Sequence, residues 1–211
     1  MKTSTIAILS ALAVAVVLGG TLAFTFMGGE EDKYAECRAS KVAGGKAQIG
    51  GPFTLVDENG KTVTDKDVID QPSLLYFGYT FCPDVCPLDN ARNAEAIEIL
   101  EDRGVIVKPV FISIDPDRDT PELLADFTDN LHPRMLGLTG TPEQVKAAST
   151  AYRTFYQKQE PEAGDEEYYL VDHSTMSYLV FPDEGFAEFF RRDESAESMA
   201  NRLQCFVEAH D

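Results

Sequence analysis

Residues 73–91 read SLLYFGYTFCPDVCPLDNA, and they decide the fold because an apolar strand runs directly into two cysteines and the start of a helix. The run SLLYFGY is continuous and apolar, which is typical of a strand buried on both faces of a sheet. Cys82 and Cys86 are separated by three residues, one more than in a C-x-x-C redox motif, and two cysteines supply only half of the ligands of a four-cysteine zinc site. From residue 88 to residue 102, apolar residues recur at helical spacing.

The chain after residue 49 alternates strands with helices. FTLVDENGKTVT predicts a hairpin that turns at residues 58–60, and SYLVFPDEGFAEFF predicts a second hairpin. The runs VIVKPVFISID and MLGLTG predict two further strands. Helices are predicted over residues 121–130, 142–155 and 195–209, with Thr120, Thr141 and Ser195 as their N-caps.

This order of elements indicates an α/β domain over residues 49–211 with a mixed central sheet. A thioredoxin-like fold has the same plan. It also places its cysteines directly after the first core strand, at the start of the first long helix, where Cys82 and Cys86 lie. We therefore expect a thioredoxin-like fold with one hairpin added at its N-terminal end and one at its C-terminal end.

Residues 5–27 carry no charge and exceed the roughly 20 apolar residues that span a bilayer. We interpret them as an uncleaved transmembrane helix. A cleaved signal peptide would have a shorter apolar core and a clear cleavage site. A buried core helix is the other alternative, and the all-round apolar character of the segment together with its place at the N-terminal end disfavours it. Lys2 favours a cytoplasmic location for residues 1–4 and export of the domain, which predicts a bacterial inner-membrane anchor and a periplasmic domain. Residues 28–48 are interpreted as a tether.

The chain is strongly acidic, with a formal net charge of −18, and all of its 36 acidic residues follow residue 27. Such a surface repels nucleic acid and anionic lipid headgroups, so we expect no nucleic-acid partner. Either the charge simply keeps the domain soluble, or it steers the domain toward a basic partner or toward cations.

The cysteine pair can serve metal binding or redox chemistry. Its spacing puts both sulfurs on one side of a helix or of a turn that enters one, and the helix N-terminus lowers the thiol pKa. A structural disulfide or two buried thiols are the alternatives. Among the histidines, His132 is predicted to be a solvated loop residue and His210 to lie in a frayed terminus. His173 precedes a strand, where it is either a packed or capping residue or a metal ligand.

Two thiolates and one imidazole suit copper, because Cu(I) accepts two or three ligands and prefers soft ones. Zinc in a structural site usually takes a fourth protein ligand, and none is evident in the sequence. An under-coordinated site also exchanges its ion readily, which is what delivery of a metal requires.

Three segments resemble the Sco/SenC family of membrane-anchored copper proteins: FGYTFCPDVCPLDN, ISIDPDRDTPELLADF and VDHSTMSYLVFPDEG. The resemblance covers roughly residues 49–208. It implies a thioredoxin-like fold and a site for Cu(I) or Cu(II) made by Cys82, Cys86 and His173. It also implies delivery of copper, or thiol-disulfide exchange, during assembly of the dinuclear copper centre in subunit II of cytochrome c oxidase.

Three functions use this site. A metallochaperone would take copper from a periplasmic donor and deliver it to subunit II. A thiol-disulfide oxidoreductase would keep the cysteines of subunit II reduced with the redox-active pair Cys82 and Cys86, which becomes a Cys82–Cys86 disulfide in the reaction. A periplasmic thiol reductant would then reduce that disulfide again. A redox or copper sensor would act on a membrane signalling partner. Only the first function needs His173 as a metal ligand.

Several neighbouring residues have more than one interpretation. Asp172 either orients His173 and raises its basicity or caps a turn. The segment DPDRDTPE, residues 115–122, is interpreted as mainly structural, with partner contact as an alternative. The acidic stretch over residues 159–169 is a solvated loop or a flap that brings His173 to the cysteines. Cys37 and Cys205 form either a disulfide between the tether and the last helix or two free thiols.

Overall fold

The computed structural model describes residues 16, 19–20, 32–38, 49–161 and 168–210. Most of the predicted anchor over residues 5–27 and most of the tether lie outside these ranges. Within them, no helix is both long enough and apolar enough to cross a membrane. The chain divides into two compact units, Met1–Ala35 and Glu36–Asp211, and the elements below all belong to the second.

Nine strands and five helices are described in this second unit. The strands are β1 (Thr54–Asp57), β2 (Thr62–Thr64), β3 (Ser73–Gly78), β4 (Lys108–Ser113), β5 (Leu136–Thr139), β6 (Tyr156–Lys158), β7 (Val171–His173), β8 (Ser177–Phe181) and β9 (Gly185–Phe190). The helices are α1 (Asp65–Val68), α2 (Val85–Asp102), α3 (Pro121–Asp129), α4 (Pro142–Ala151) and α5 (Ala196–His210).

Seven strands form one mixed sheet in the order β2-β1-β5-β4-β3-β8-β9. The pairs β3–β4 and β4–β5 are parallel, and the other pairs are antiparallel. Every residue of β3 is buried, as its unbroken apolar sequence predicts. The predicted mixed sheet, with a hairpin at each end of the chain order, is confirmed.

Local sequence explains where most helices begin and end. The Thr120 hydroxyl accepts a hydrogen bond from Leu123 N at the start of α3, and Thr141 forms a capping box at the start of α4. Helix α4 ends at Ala151, not at residue 155 as predicted, because Arg153 adopts a left-handed conformation with φ of 52°. Helix α2 begins at Val85, so Cys86 lies in its first turn.

A small two-stranded sheet was not predicted. Strand β6 pairs antiparallel with β7, and Tyr156 lies opposite His173. Gln157 and Lys158 are both exposed, so β6 carries no apolar run by which the sequence could indicate a strand. This pairing matters for the site because it makes His173 part of a strand.

Two predictions about histidines were wrong. His132 is buried at 2% exposure, with Nε2 3.3 Å from a Glu101 carboxylate oxygen and Nδ1 accepting a hydrogen bond from Arg134 N. His210 is the last residue of α5, and its ring stacks on Phe181 with a centroid distance of 4.0 Å. The Glu101 carboxylate beside His132 and the Phe181 ring beside His210 lie far from these histidines in the sequence.

Candidate metal centre

Three potential ligand atoms converge at the carboxyl end of β3. The loop after β3 and the first turn of α2 supply Cys82 and Cys86, and β7 supplies His173. The two sulfurs and one ring nitrogen all lie within 4.8 Å of one another. The Sγ atom of Cys86 is 3.3 Å from Nε2 of His173. The structure thus brings together the three residues that the sequence singled out.

The loop after β3 and the first turn of α2, here called the cysteine arm, are held in place by backbone hydrogen bonds. Cys82 N donates to the Tyr79 carbonyl oxygen at 3.3 Å, and Cys86 N donates to Cys82 Sγ at 3.3 Å. Amides at a helix N-terminus point at the sulfur and favour its anionic form. Both cysteines are buried and neither is in a disulfide.

The pKa values of the two thiols are shifted in opposite directions. The hydrogen bonds that the side chain and the backbone amide of Cys86 donate to the Cys82 sulfur lower the pKa of Cys82 to about 3. The interaction with the Cys82 sulfur, together with burial, raises the pKa of Cys86. One thiolate and one thiol therefore share a proton near neutral pH, and a metal ion that binds both sulfurs would displace it.

The strand β7 and residue 174 after it, here called the histidine arm, determine which nitrogen of the His173 ring carries the proton. Nδ1 of His173 lies 2.8 Å from the backbone oxygen of Ser174. A carbonyl oxygen can only accept a hydrogen bond, so Nδ1 carries the proton and Nε2 presents its lone pair to the sulfurs. This is the arrangement that a metal-ligating histidine commonly has.

The expected contact between Asp172 and the imidazole is not made. The Asp172 carboxylate instead accepts a hydrogen bond from Gln159 Nε2 at 2.8 Å, across the β6–β7 pair. Successive side chains on a strand point to opposite faces, so Asp172 points away from the face that His173 occupies. The group that orients the ring is the Ser174 carbonyl.

Tyr79 connects the two arms, and the sequence did not single it out. Its hydroxyl accepts a hydrogen bond from Val171 N at 3.2 Å, and its ring meets the His173 ring edge-on at 5.8 Å between centroids. Burial is the main reason that its pKa rises to about 12, so the phenol stays neutral. The only available signal was an aromatic residue directly before the cysteine loop.

Gly78 is also part of the site. A Cβ atom added there would lie 2.9 Å from Cys86 Sγ and 3.0 Å from the Phe111 ring. Since real Cβ contacts of that length essentially never occur, a side chain at position 78 would displace the Cys86 sulfur or the core beneath it. Glycine thus allows the end of β3 to lie directly against the sulfur.

The segment over residues 115–122 supports both arms. The Asp119 carboxylate accepts hydrogen bonds from Ser113 Oγ and from the hydroxyl and amide of Thr80. The Asp115 carboxylate accepts from Tyr169 at 2.7 Å and pairs with Arg118 at 2.5 Å. These contacts agree with the interpretation of this segment as mainly structural. Residues 162–167 of the predicted flap lie outside the described ranges.

Cys37 and Cys205 form a disulfide between the end of the predicted tether and α5, at a Cα–Cα distance of 5.6 Å. Beside it, the Glu188 carboxylate lies 3.6 Å from Arg38 and 3.5 Å from Arg202. Cys37 and Arg38 therefore belong to the same compact unit as the metal centre.

The fold and site define a thioredoxin-like protein with a dithiol–imidazole centre. The chain matches the SCO1/SenC family model over residues 41–208, and it belongs to that family. It is 51% identical to protein SenC of Rhodobacter capsulatus over 209 residues, which are 99% of this chain and 93% of that protein.

Solved structures of the family agree with this assignment. The chain is similar to Arabidopsis thaliana ScoI with copper bound, with a TM-score of 0.70 and 41% identity over 76% of this chain and 99% of that one. It is also similar to yeast Sco1 with copper bound, with a TM-score of 0.71 and 34% identity over 77% of this chain and 90% of that one.

Proposed function

We propose that this protein is a copper metallochaperone that delivers copper to the dinuclear copper centre of cytochrome c oxidase subunit II. The observation that carries the proposal is the convergence of Cys82, Cys86 and His173 within 4.8 Å. Two sulfurs and one imidazole are a soft donor set that suits copper. The copper-bound relatives support the choice of metal, and the family resemblance supplies the setting of oxidase assembly.

The burial of the three side chains suits transfer. Cys86 is fully buried and Cys82 is 7% exposed, whereas His173 is only half-buried. Because His173 comes from a separate strand, the imidazole can leave while the sulfurs still hold the cargo. An incoming ligand of the acceptor then takes its place, and the sulfurs are exchanged one after the other.

The test compares two histidine variants. His173→Ala is expected to weaken copper binding greatly and to abolish delivery, while His210→Ala, at the end of α5, is the matched control and retains both. The measurement is the copper content of the reduced protein together with metal transfer to the copper-binding domain of subunit II. Retention of copper and transfer by His173→Ala would remove the basis of this function.

A second candidate, thiol-disulfide oxidoreductase, is favoured by the low pKa of Cys82. The Cys82 thiolate would attack a disulfide of subunit II and form a mixed disulfide, releasing one thiolate of subunit II. The Cys86 sulfur, after losing its proton, would then attack Cys82, release the second thiolate and leave a Cys82–Cys86 disulfide. This function predicts that His173→Ala retains disulfide reduction after it has lost copper.

We further propose that residues 5–27 anchor the protein in a bacterial inner membrane and that the domain lies in the periplasm. The support is the uncharged length of this segment, and the disulfide of Cys37 and Cys205 suits an oxidising compartment. Protease added to spheroplasts is expected to degrade the domain. Full protection of the domain would contradict this orientation.

A further inference from the structure

Exposed apolar side chains concentrate at the edge of the domain that holds the metal centre. In the described part of the unit Glu36–Asp211, the large apolar side chains that are exposed are Phe81, Leu88, Ile106, Leu123, Phe155, Tyr168, Leu170 and Met176. All of them except Ile106 lie on the segments that carry the ligands or directly beside those segments. Ile106 lies at the opposite edge of the sheet, between the end of α2 and the start of β4.

Two of these exposed apolar side chains, Phe81 and Leu123, line one groove next to the cysteines. It has a volume of about 310 Å³ and is lined by Thr80, Phe81, Leu123, Asp126, Phe127 and Asn130. Phe81 directly precedes Cys82, and its side chain is 50% exposed. Leu123 and Asp126 lie on the first two turns of α3, which begins at the same edge of the sheet as α2 because β3 and β4 are parallel.

The charges around this groove are negative. Asp126 lines it, Glu122 and Asp129 are exposed on the same helix, and Asp84 is exposed between the two cysteines. Two cations near this edge are paired with carboxylates, Lys158 with Asp117 at 3.6 Å and Arg118 with Asp115. An approaching surface that carries basic residues would therefore complement this edge.

We propose that this groove is the docking surface for the copper acceptor, which inserts one apolar side chain between Phe81 and Leu123 and places a basic residue against Asp126. The inference rests on the proposed delivery function. Its physical reason is that a metal held by buried sulfurs passes only to ligands that come into direct contact, so the acceptor must cover this edge. Apolar patches with polar rims commonly mark such interfaces.

The test uses variants that leave the three ligands untouched. The full chain is loaded with copper, and the rate of transfer to the soluble copper-binding domain of subunit II is followed at increasing acceptor concentrations. Leu123→Ala and Asp126→Lys are each expected to raise the half-saturating acceptor concentration about tenfold. Asp126→Lys is also expected to flatten its dependence on ionic strength. Copper affinity, measured separately, should equal that of the wild type.

The opposite edge supplies matched controls. Ile106→Ala removes an exposed apolar side chain, and Asp102→Lys reverses an exposed charge at the end of α2, so both should behave as wild type. If Leu123→Ala and Asp126→Lys transfer copper as these controls do, the docking surface is disproved and delivery itself stands. If the wild type passes no copper to subunit II, the delivery function fails, and this partner for the groove fails with it.

Discussion

At the scale of single residues, the chemistry depends on what surrounds each sulfur. Cys82 receives an amide hydrogen bond from Cys86, and the two side chains share one proton. Gly78 constrains the position of the Cys86 sulfur, because the absence of a side chain at residue 78 leaves room for that sulfur. The properties of the site therefore belong to the group of residues and not to any one ligand.

The lowered pKa of Cys82 predicts how the metal-free protein responds to pH. The pKa falls to about 3 from an ordinary value near 9.0, so one thiolate should persist as the pH drops below neutrality. The stability that this provides is present above the ordinary pKa and is lost as the pH falls through the lowered value. Ultraviolet absorbance of the thiolate measures the titration. Cys86→Ala should move the midpoint upward, and an unmoved midpoint would contradict the assigned cause.

Gly78→Ala is expected to destabilise the fold by about 1–3 kcal/mol, because its Cβ would overpack against Cys86 Sγ and Phe111. Chemical denaturation measures the loss. The same variant should bind copper more weakly, because the Cys86 sulfur must move away. Wild-type stability and copper affinity in Gly78→Ala would show that the contact relaxes without cost.

At the scale of elements, the site is assembled from two arms that are distant in the sequence. The arm β3–α2 carries the cysteines, and β7 is held in place by β6 and by Tyr79. The residue that joins them is therefore expected to control how long the imidazole stays beside the sulfurs.

Tyr79→Phe tests this joint, since it keeps the ring and removes the hydroxyl that accepts from Val171 N. Leaving that buried amide without its partner costs roughly 1–3 kcal/mol. We expect the histidine arm to loosen and copper affinity to fall about tenfold, which is the change that 1.4 kcal/mol produces. Tyr152→Phe, at a tyrosine that is 1% exposed and packs on Phe77, is the control. Equal copper affinity in the two variants would show that Tyr79 is not a positioning residue.

Some of these elements could be predicted from the sequence and others could not. The unbroken apolar run of β3 and the caps Thr120 and Thr141 act locally, so those elements were predictable. Strand β6 was not, because its exposed polar residues are held by pairing with β7 and not by their own pattern. The ligands were predictable from residue chemistry together with a family resemblance.

The residues that position the ligands could be identified only from the three-dimensional structure. Tyr79 reaches Val171, and Gly78 borders Cys86, through contacts between distant segments. The same reason explains the misplacement of His132, His210 and Asp172. The partners that hold them are Glu101, Phe181 and Gln159, which no local pattern links to them.

At the scale of the whole molecule, the disulfide of Cys37 and Cys205 spans 168 residues of sequence. A cross-link over so long a loop stabilises the fold by on the order of 4–5 kcal/mol in the chain-entropy model. A double variant, Cys37→Ser with Cys205→Ser, should therefore unfold at lower denaturant concentration. A mild reductant should destabilise the wild type but not this variant. Recovery of Cys37 as a free thiol from untreated protein would contradict the pairing.

The acidic surface and the apolar edge are expected to act at different stages of partner binding. The net charge of −18 favours approach of basic partners, and in the described part of the unit Glu36–Asp211 the exposed large apolar side chains other than Ile106 lie around the edge where the ligands are. Long-range attraction and short-range docking would then act on the same face, next to the cargo.

The most direct measurement is X-ray absorption spectroscopy of the copper-loaded chain, because it counts the sulfur and nitrogen atoms bound to the metal. The wild type is predicted to show two sulfurs from Cys82 and Cys86 and one imidazole nitrogen from His173, and His173→Ala should lose the nitrogen alone. A wild-type spectrum without the imidazole signal, or one unchanged in His173→Ala, would contradict the account.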